Sequence, residues 1–308
     1  MAYYNANEVI RLTRKAMGLT QEELCEGICE VVTLSRIENG HTSVKRSTYK
    51  KLMEKMGRIP ETRYAVCVSK DGVLAEDRLE LERAFKRYDF ETAEYYLQRI
   101  KEYADDNLLT RQYIIRADAL VNYRLGRIET EEFAKRLEEA LRQTAPMYEQ
   151  FFQKKQCLPF TKAELLILTS LASAYRKKEE LTQSIQLYKV ILRCLDAGYM
   201  GEPDNSRMQM LVRNSLAMVY EAQGEHSKAL SEINKCLDIA LKYEYGYMVT
   251  TLLSAKLFNI FKLTEQKKMG ENSINEVKKL SQQAYYIAAA RGDNKIKRLI
   301  DNFYHNFL

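Results

Sequence analysis

A set of residues that recurs at a fixed spacing limits the fold of this chain more than any other feature. Six residues between Leu171 and Ile191 have counterparts 45 positions further on. The first set is Leu171, Ala172, Tyr175, Ser184, Tyr188 and Ile191, and the second is Leu216, Ala217, Tyr220, Ala229, Ile233 and Cys236. Small residues at these spacings let two antiparallel helices approach closely, while bulky ones fill the gap to the next pair. The pattern predicts stacked helical hairpins.

These offsets resemble those of the tetratricopeptide repeat. Weaker copies of the pattern run through Leu257, Phe261, Gly270, Ile274 and Val277, through Ala84, Ala93, Leu97 and Ile100, and through Tyr123, Phe133 and Leu137. The resemblance implies five degenerate repeats plus terminal helices over most of residues 77–308, wound into a right-handed superhelix. At any single position, ordinary core packing between repeats also explains the Tyr and Leu stripes.

The composition favours a helical, globular chain. Gly and Pro, which turn-rich β-sandwiches and barrels need, number only 12 and 4 among 308 residues, whereas their usual share is roughly 12%. With 46% hydrophobic and 29% charged residues, the chain can bury a core. We therefore expect an all-α protein. Its net charge of +6 permits a polyanionic partner without requiring one.

No segment is apolar enough to span a membrane. The longest uncharged apolar windows, such as residues 165–175, fall short of the ~18 residues that a transmembrane helix needs. Charged residues also interrupt the N-terminal region, so no signal-peptide core can be drawn there. We expect a cytoplasmic protein with no membrane partner.

The residues that usually hold metals or carry out catalysis form no recognisable motif. The cysteines are Cys25, Cys29, Cys67, Cys157, Cys194 and Cys236, and the histidines are His41, His226 and His305. Scattered cysteines without zinc-ligand spacing are typical of small core residues in a reducing compartment. No histidine lies in a nucleophile, nucleotide-binding or metalloprotease motif. We expect no metal, no cofactor and no enzymatic activity.

The strongest local signal lies near the N-terminus, where L-T-Q-E-E-L at 19–24 is followed by S-R-I-E-N-G at 35–40. Thr20 precedes Glu23 by three residues, the spacing of a capping box that starts a helix. In the next helix Leu34 and Ile37 share a buried face, so other side chains point outward. Those outward side chains are Val32, Thr33 and Arg36. Two short helices of this kind are typical of a helix-turn-helix.

Over residues 5–63 this stretch resembles the Cro and phage-repressor type of helix-turn-helix, the XRE-like family, which we expect to contain five helices. Gly-Ile-Cys at 27–29 is similar to the variant in peptide-pheromone regulators of Gram-positive bacteria, the group named for Rap, Rgg, NprR, PlcR and PrgX. Those proteins join this domain to degenerate tetratricopeptide repeats. The resemblance implies a DNA-binding domain at 1–63, a linker at 64–76, and a sensor and dimerisation domain at 77–308.

The resemblance also implies which residues bind double-stranded operator DNA. Gln21 would contact a phosphate, and the exposed side of the second helix would face the major groove. The candidate DNA-binding residues are Gln21, Val31, Val32, Thr33, Ser35, Arg36, Asn39, Lys45, Arg46 and Lys50. The Arg36 guanidinium can pair with guanine or with phosphate, and valines can pack on a thymine methyl group. Glu30 would repel phosphate, and it would instead cap the helix or accept from cytosine.

Basic residues also accumulate just after the helix-turn-helix. Between His41 and Arg58 they are Lys45, Arg46, Lys50, Lys51, Lys55 and Arg58, against the single acidic Glu54. Such a run is either a solvated helix face or a surface that follows the phosphate backbone. Its position beside a helix-turn-helix favours the phosphate backbone.

In tetratricopeptide arrays the first helix of each pair lines the concave face, where ligands bind. Counting repeat positions from Leu216 puts seven polar or flexible residues on that face. They are Thr169, Ser173, Arg176, Asn214, Met218, Asn259 and Lys262. Asparagine amides can hold the backbone of an extended peptide, and the resemblance implies this use of them for a short signalling peptide. The cations could pair with a peptide carboxylate. Alternatively, Asn214 bonds a neighbouring helix, or the face binds a protein partner.

A single helix-turn-helix reads only half of a palindromic site, which predicts a homodimer. The stretch Ala284–Leu308 is richer in apolar residues than a solvated end cap needs. It either contributes to the dimer interface or folds back as the terminal cap.

Overall fold

The computed structural model describes residues 6–58, 72–104, 108–146, 148–149, 160–197, 200–265 and 272–307, and every regular element in these residues is a helix. The chain divides into two compact units, residues 1–201 and residues 202–308. No helix in the described ranges is both long and apolar enough to cross a membrane.

Four helices form the N-terminal domain within residues 6–58. They are α1 (Ala6–Met17), α2 (Gln21–Cys25), α3 (Val31–Glu38) and α4 (Arg46–Lys55). Their apolar faces meet in one core, in which Leu24, Leu34 and Leu52 have no exposed surface. The capping box predicted at the start of α2 is present: the Glu23 amide donates to Thr20 Oγ1 and the Thr20 amide donates to the Glu23 carboxylate. The expected fifth helix would fall beyond residue 58, outside the described residues.

Helical hairpins then follow one another along the first unit. Their helices are α5 (Gly72–Arg87), α6 (Phe90–Tyr103), α7 (Leu108–Arg124), α8 (Thr130–Arg142), α9 (Lys162–Lys177) and α10 (Leu181–Asp196). Each odd-numbered helix packs against the next one in the chain. Helix α5 begins at Gly72, inside the segment that we expected to be linker, because Leu74 and Ala75 continue the helix-forming sequence.

The second unit continues the same arrangement. It contains α11 (Asp204–Ala222), α12 (His226–Lys242), α13 (Gly246–Glu265), α14 (Asn272–Ala290) and α15 (Asn294–Phe307). Helices α11 and α12 form one hairpin, α13 and α14 form another, and α15 packs on α14. The expectation of an all-α fold with five degenerate hairpins and a terminal helix is confirmed for the described residues.

The recurring residues of the sequence occupy the hairpin cores. Ser184 is fully buried, and its hydroxyl donates to the Ala172 carbonyl oxygen at 2.7 Å, so the two helices of this hairpin touch at their small residues. At the equivalent place in the next repeat, Ala217 and Ala229 are also buried. Tyr188 has no exposed surface. The small and bulky positions therefore do the packing that the spacing predicted.

Candidate DNA-binding and ligand-binding sites

Helix α3 presents one polar, open face on the N-terminal domain. Leu34 and Ile37 are 0% and 2% exposed, whereas Val32 is 60% exposed. Thr33 and Arg36 are exposed on the same side as Val32. The predicted orientation of this helix is thus confirmed. Among its other candidates, Val31 packs partly against the domain core.

The two ends of α3 hold the remaining candidates. Glu30 occupies the N-cap position, but its side chain makes no capping hydrogen bond, so the capping role offered for it is wrong. At the C-terminal end, Asn39 is exposed and its amide lies 3.5 Å from the Ser35 hydroxyl, at the limit of a hydrogen bond. Neither Ser35 nor Asn39 is therefore tightly held.

Behind the exposed face, a buried carboxylate ties three helices together. Arg14 of α1 donates to both carboxylate oxygens of Glu38, at 2.6 and 2.8 Å, and its third nitrogen donates to the Leu19 carbonyl at 2.7 Å. The Gln21 amide donates to the same carboxylate at 2.7 Å. The hydrogen bond to Glu38 is the largest of the effects that raise the pKa of the Arg14 guanidinium.

This arrangement places Gln21 differently from its expected phosphate contact. Its amide donates inward to Glu38 rather than standing free for a phosphate. The sequence signal that could have identified Glu38 is the polar residue directly after Ile37, in a helix whose neighbouring buried positions are apolar. A phosphate contact by Gln21 stays a prediction.

The basic run between His41 and Arg58 does not act as one surface. Lys45 and Lys51 are exposed, and Lys50 lies 3.8 Å from Glu54 with more than half of each side chain exposed. Lys55 instead donates to the Glu26 carbonyl at 2.8 Å, and Arg58 is only 4% exposed. The two basic residues at the end of the run therefore have internal partners.

Arg46 begins α4, but its side chain lies outside the described residues. Of the cysteines, Cys67 and Cys157 lie outside them as well. Cys25, Cys194 and Cys236 are buried and Cys29 is partly buried. Burial raises the pKa of the Cys236 thiol to about 12, so this thiol is protonated and unreactive at neutral pH.

Helix α9, in the first unit, carries three of the predicted ligand-binding residues. Thr169 is only 7% exposed, and its hydroxyl donates to the Leu165 carbonyl one turn earlier at 2.7 Å. Ser173 and Arg176 are partly exposed. Thr169 is therefore committed to its own helix, while the other two remain accessible.

The second unit presents an open stripe along the first helix of its first hairpin. On α11, Leu211 and Met218 are 43% and 42% exposed, and Asn214 lies between them, partly exposed. Because these residues are three or four apart, they share one helix face. Leu211 was not among the predicted residues, although its spacing from Asn214 and Met218 could have revealed it.

Helix α13 buries the asparagine that was expected to bind ligand. Asn259 has no exposed surface. Its amide nitrogen donates to the Glu221 carboxylate at 2.5 Å and to the Ala255 carbonyl at 2.8 Å, and its amide oxygen lies 3.0 Å from His226 Nδ1. All of its hydrogen-bonding groups thus have protein partners, and a ligand could reach Asn259 only after these bonds rearrange.

One turn further along, the same helix carries Lys262. Its ammonium group donates to the Glu265 carboxylate at 2.7 Å and lies 6.0 Å from the centre of the Phe258 ring. Phe258 is itself 41% exposed. A carboxylate ligand would have to compete with Glu265 for this cation.

Comparison with known proteins agrees with this architecture. The family model described as Helix-turn-helix matches residues 10–62, which include α2, α3 and α4. A search of curated protein sequences finds no match.

Three solved structures share the fold over nearly the whole chain. PlcR of Bacillus thuringiensis in complex with the peptide PapR7 and DNA is 18% identical, with 96% of this chain and 98% of that chain covered and a TM-score of 0.59. Apo PlcR is 15% identical, with 95% and 98% covered and a TM-score of 0.61. Apo ComR of S. thermophilus is 14% identical, with 97% and 98% covered and a TM-score of 0.52. The chain therefore carries an N-terminal domain of the helix-turn-helix family and, over almost its whole length, has the fold of PlcR, with tetratricopeptide-like helices after that domain.

Proposed function

We propose that this chain is a sequence-specific DNA-binding transcriptional regulator whose repeat region binds a short signalling peptide that modulates DNA binding. The helix-turn-helix family is one of DNA-binding domains and not of enzymes. The observation that carries the proposal is the open face of α3, where Val32, Thr33 and Arg36 stand exposed on a helix whose other side is buried in the domain core.

The face suits the major groove in its chemistry as well as its exposure. The groove admits an α-helix, and its base edges offer acceptors and thymine methyl groups. Arg36 supplies a fork of donors for a guanine or a phosphate, and Val32 supplies an apolar surface for a methyl group. Lys45 and Lys51 are exposed on or next to α4 and would follow the phosphate backbone.

Replacing Arg36 with alanine should weaken binding to the preferred duplex by about 1 to 3 kcal/mol, because a bidentate base contact is lost. Lys51→Ala should instead weaken binding to all duplexes to a similar degree and flatten the salt dependence, because a phosphate contact carries no sequence information. Gel-shift titrations at several salt concentrations measure both effects, with a duplex selected from a random pool and a scrambled duplex of the same composition.

Glu54→Ala is the matched control for these variants, because it removes an exposed charge from the same domain and the partner of Lys50 without removing a cation. Its affinity should stay equal to or slightly above that of the wild type. An Arg36→Ala protein that keeps wild-type affinity for the selected duplex contradicts the major-groove assignment.

Support for a peptide ligand comes from the fold and from the open stripe of α11. PlcR, which shares the fold, has been solved with a peptide and DNA. In this chain the stripe places Asn214 between two exposed apolar side chains, Leu211 and Met218. An amide between apolar contacts can bind an extended peptide backbone while the apolar contacts hold alternate side chains. Ser173, Arg176 and Lys262 remain proposed contacts.

The proposed peptide can be sought directly, by mass spectrometry of molecules released when the purified chain is denatured. Asn214→Ala should retain at least about fivefold less of the released peptide, since removing one partner of a hydrogen-bonded pair costs about 1 to 3 kcal/mol. Asn259→Ala is the contrasting variant. It should lower the melting temperature, because Glu221 and His226 lose a buried partner.

If the released material is a protein rather than a peptide, the second candidate function holds. In that case the chain is a helix-turn-helix regulator, or a tetratricopeptide scaffold, controlled by a protein partner in the same groove. Asn214→Ala that retains the wild-type amount of peptide contradicts the asparagine contact while leaving peptide binding itself intact.

We further propose that the chain acts in the cytoplasm as a homodimer, since two helix-turn-helix domains are needed to read a palindromic site. Part of the C-terminal stretch does fold back, because Ala284 and Ile300 lie in the core formed with α13. Tyr286 and Leu299 are 69% and 52% exposed and are the described apolar residues left for an interface. Light scattering of the purified chain, with and without the selected duplex, measures the oligomeric state.

A further inference from the structure

A buried ion pair joins the helix-turn-helix domain to the repeats within the first unit. Arg58 directly follows the end of α4, and its amide donates to the Met53 carbonyl of that helix at 2.8 Å. Its guanidinium donates to the Glu164 carboxylate of α9 at 3.1 Å. The two side chains are 4% and 0% exposed, although 106 residues separate them in the sequence.

Glu164 is also bonded to two other parts of the repeat region. One of its oxygens accepts from the Thr161 amide at 2.7 Å, which completes the capping box at the start of α9. The other accepts from the Thr144 hydroxyl at 2.7 Å. Thr144 lies just beyond α8 and in turn accepts from the Gln112 amide of α7 at 2.6 Å.

The four side chains form one buried polar chain from the N-terminal domain to α7. Gln112 and Thr144 are 2% and 0% exposed, so water does not compete for these bonds. Hydrogen bonds to a buried charge are strong and directional. A shift of α9 against α7 and α8 would therefore break a bond or move Glu164, and Arg58 would have to follow the carboxylate.

Burial makes the pair costly to break from one side. Removing one partner of a buried ion pair leaves an uncompensated charge. Arg58 is already incompletely matched: its second terminal nitrogen is buried without a hydrogen-bond partner among the described residues. An apolar side chain would fill this site without that mismatch. The retained charge pair thus specifies one geometry between the domain and α9 rather than adding much stability.

The pair does not cover the DNA-reading face. Val32 remains 60% exposed and Arg36 is exposed while Arg58 and Glu164 are bonded. We propose that the Arg58–Glu164 pair is a joint through which helices α7, α8 and α9 set the orientation of the helix-turn-helix domain. Its consequence for DNA binding rests on the proposed function, whereas the joint itself does not.

The orientation can be measured in the full chain by NMR relaxation of backbone amides. In the wild type, amides of α1–α4 and amides of α7–α9 should report one rotational correlation time. In Arg58→Met, the correlation time of α1–α4 should fall toward that of a free domain, while α7–α9 keep theirs. Glu164→Gln, whose neutral side chain can still bond Thr144 and Thr161, should shift it in the same direction by less.

Arg127→Gln is the matched control, because Arg127 forms a hydrogen-bonded ion pair with Glu94 that is largely exposed and lies wholly within the repeats. It should leave a single correlation time. If Arg58→Met fails to fold, Glu164→Gln carries the same test. A single correlation time in every folded variant of the pair overturns the joint.

DNA binding provides a second and separable reading. Arg58→Met should keep its affinity for a duplex with one half-site within about twofold, but should lose about tenfold or more on a duplex with two half-sites, because two domains with free orientations engage a fixed spacing less often. If the wild type binds no selected duplex, the proposed function fails and the relaxation result still decides the joint. Equal losses on both duplexes contradict an orienting role.

Discussion

Replacing Glu38 with alanine should lower the free energy of unfolding of the helix-turn-helix domain by about 3 to 5 kcal/mol, the cost of leaving a buried charge unpaired. The side chains of Arg14 and Glu38 are 11% and 2% exposed, so water cannot replace the lost carboxylate. Gln21 would lose its partner at the same time. Helices α1, α2 and α3 all meet at this carboxylate, and the loss should therefore be shared by the whole domain.

Hydrogen exchange of amides in α1 and α3 measures this effect in the full chain, where two compact units need not unfold together. Glu54→Ala is the matched control: it removes a carboxylate that is 53% exposed and pairs with Lys50, and it should change stability by no more than about 0.5 kcal/mol. A loss below about 1 kcal/mol in Glu38→Ala would show that the buried ion pair contributes no more than a surface pair.

Tyr188→Ala should be similarly severe in the repeat region, with a loss of about 3 to 5 kcal/mol, the usual range for truncating a large buried aromatic side chain. Tyr188 belongs to the recurring set and has no exposed surface on α10. Its removal leaves a cavity between helices that cannot collapse without breaking the close contact of Ser184 with Ala172.

Chemical denaturation followed by circular dichroism measures this loss. Tyr103→Ala is the control, since this tyrosine ends α6 with 64% of its surface exposed, and its truncation should cost less than about 0.5 kcal/mol. Equal denaturation midpoints for the two variants would mean that the recurring positions are not the packing positions of the repeat.

The sequence was sufficient for the local structure of the helix-turn-helix domain. The capping box of Thr20 and Glu23 is a contact between residues three apart, so spacing alone predicts it. The buried and open faces of α3 likewise follow from helical periodicity. Glu38 was missed because periodicity places a residue on a face but does not say which distant side chain meets it there.

In the repeat region the sequence located the helices but not the accessible side chains. The position count that placed Asn214 on the first helix of a repeat applied equally to Asn259, and the structure separates them. Asn259 is enclosed by Glu221 and His226, which come from α11 and α12. Whether an amide serves a ligand or the fold depends on these neighbours, and they are distant in the chain.

The same division applies to the basic residues that follow the helix-turn-helix. Lys51 and Arg58 are alike in a charge count, yet Lys51 is exposed and Arg58 is buried against Glu164. The amino-acid sequence by itself determined the helices, their caps and the small residues at which paired helices touch, because these depend on contacts between residues near in the chain. Only the tertiary structure decided which charges and amides are spent inside the protein, because burial and pairing depend on what distant helices bring to the same place.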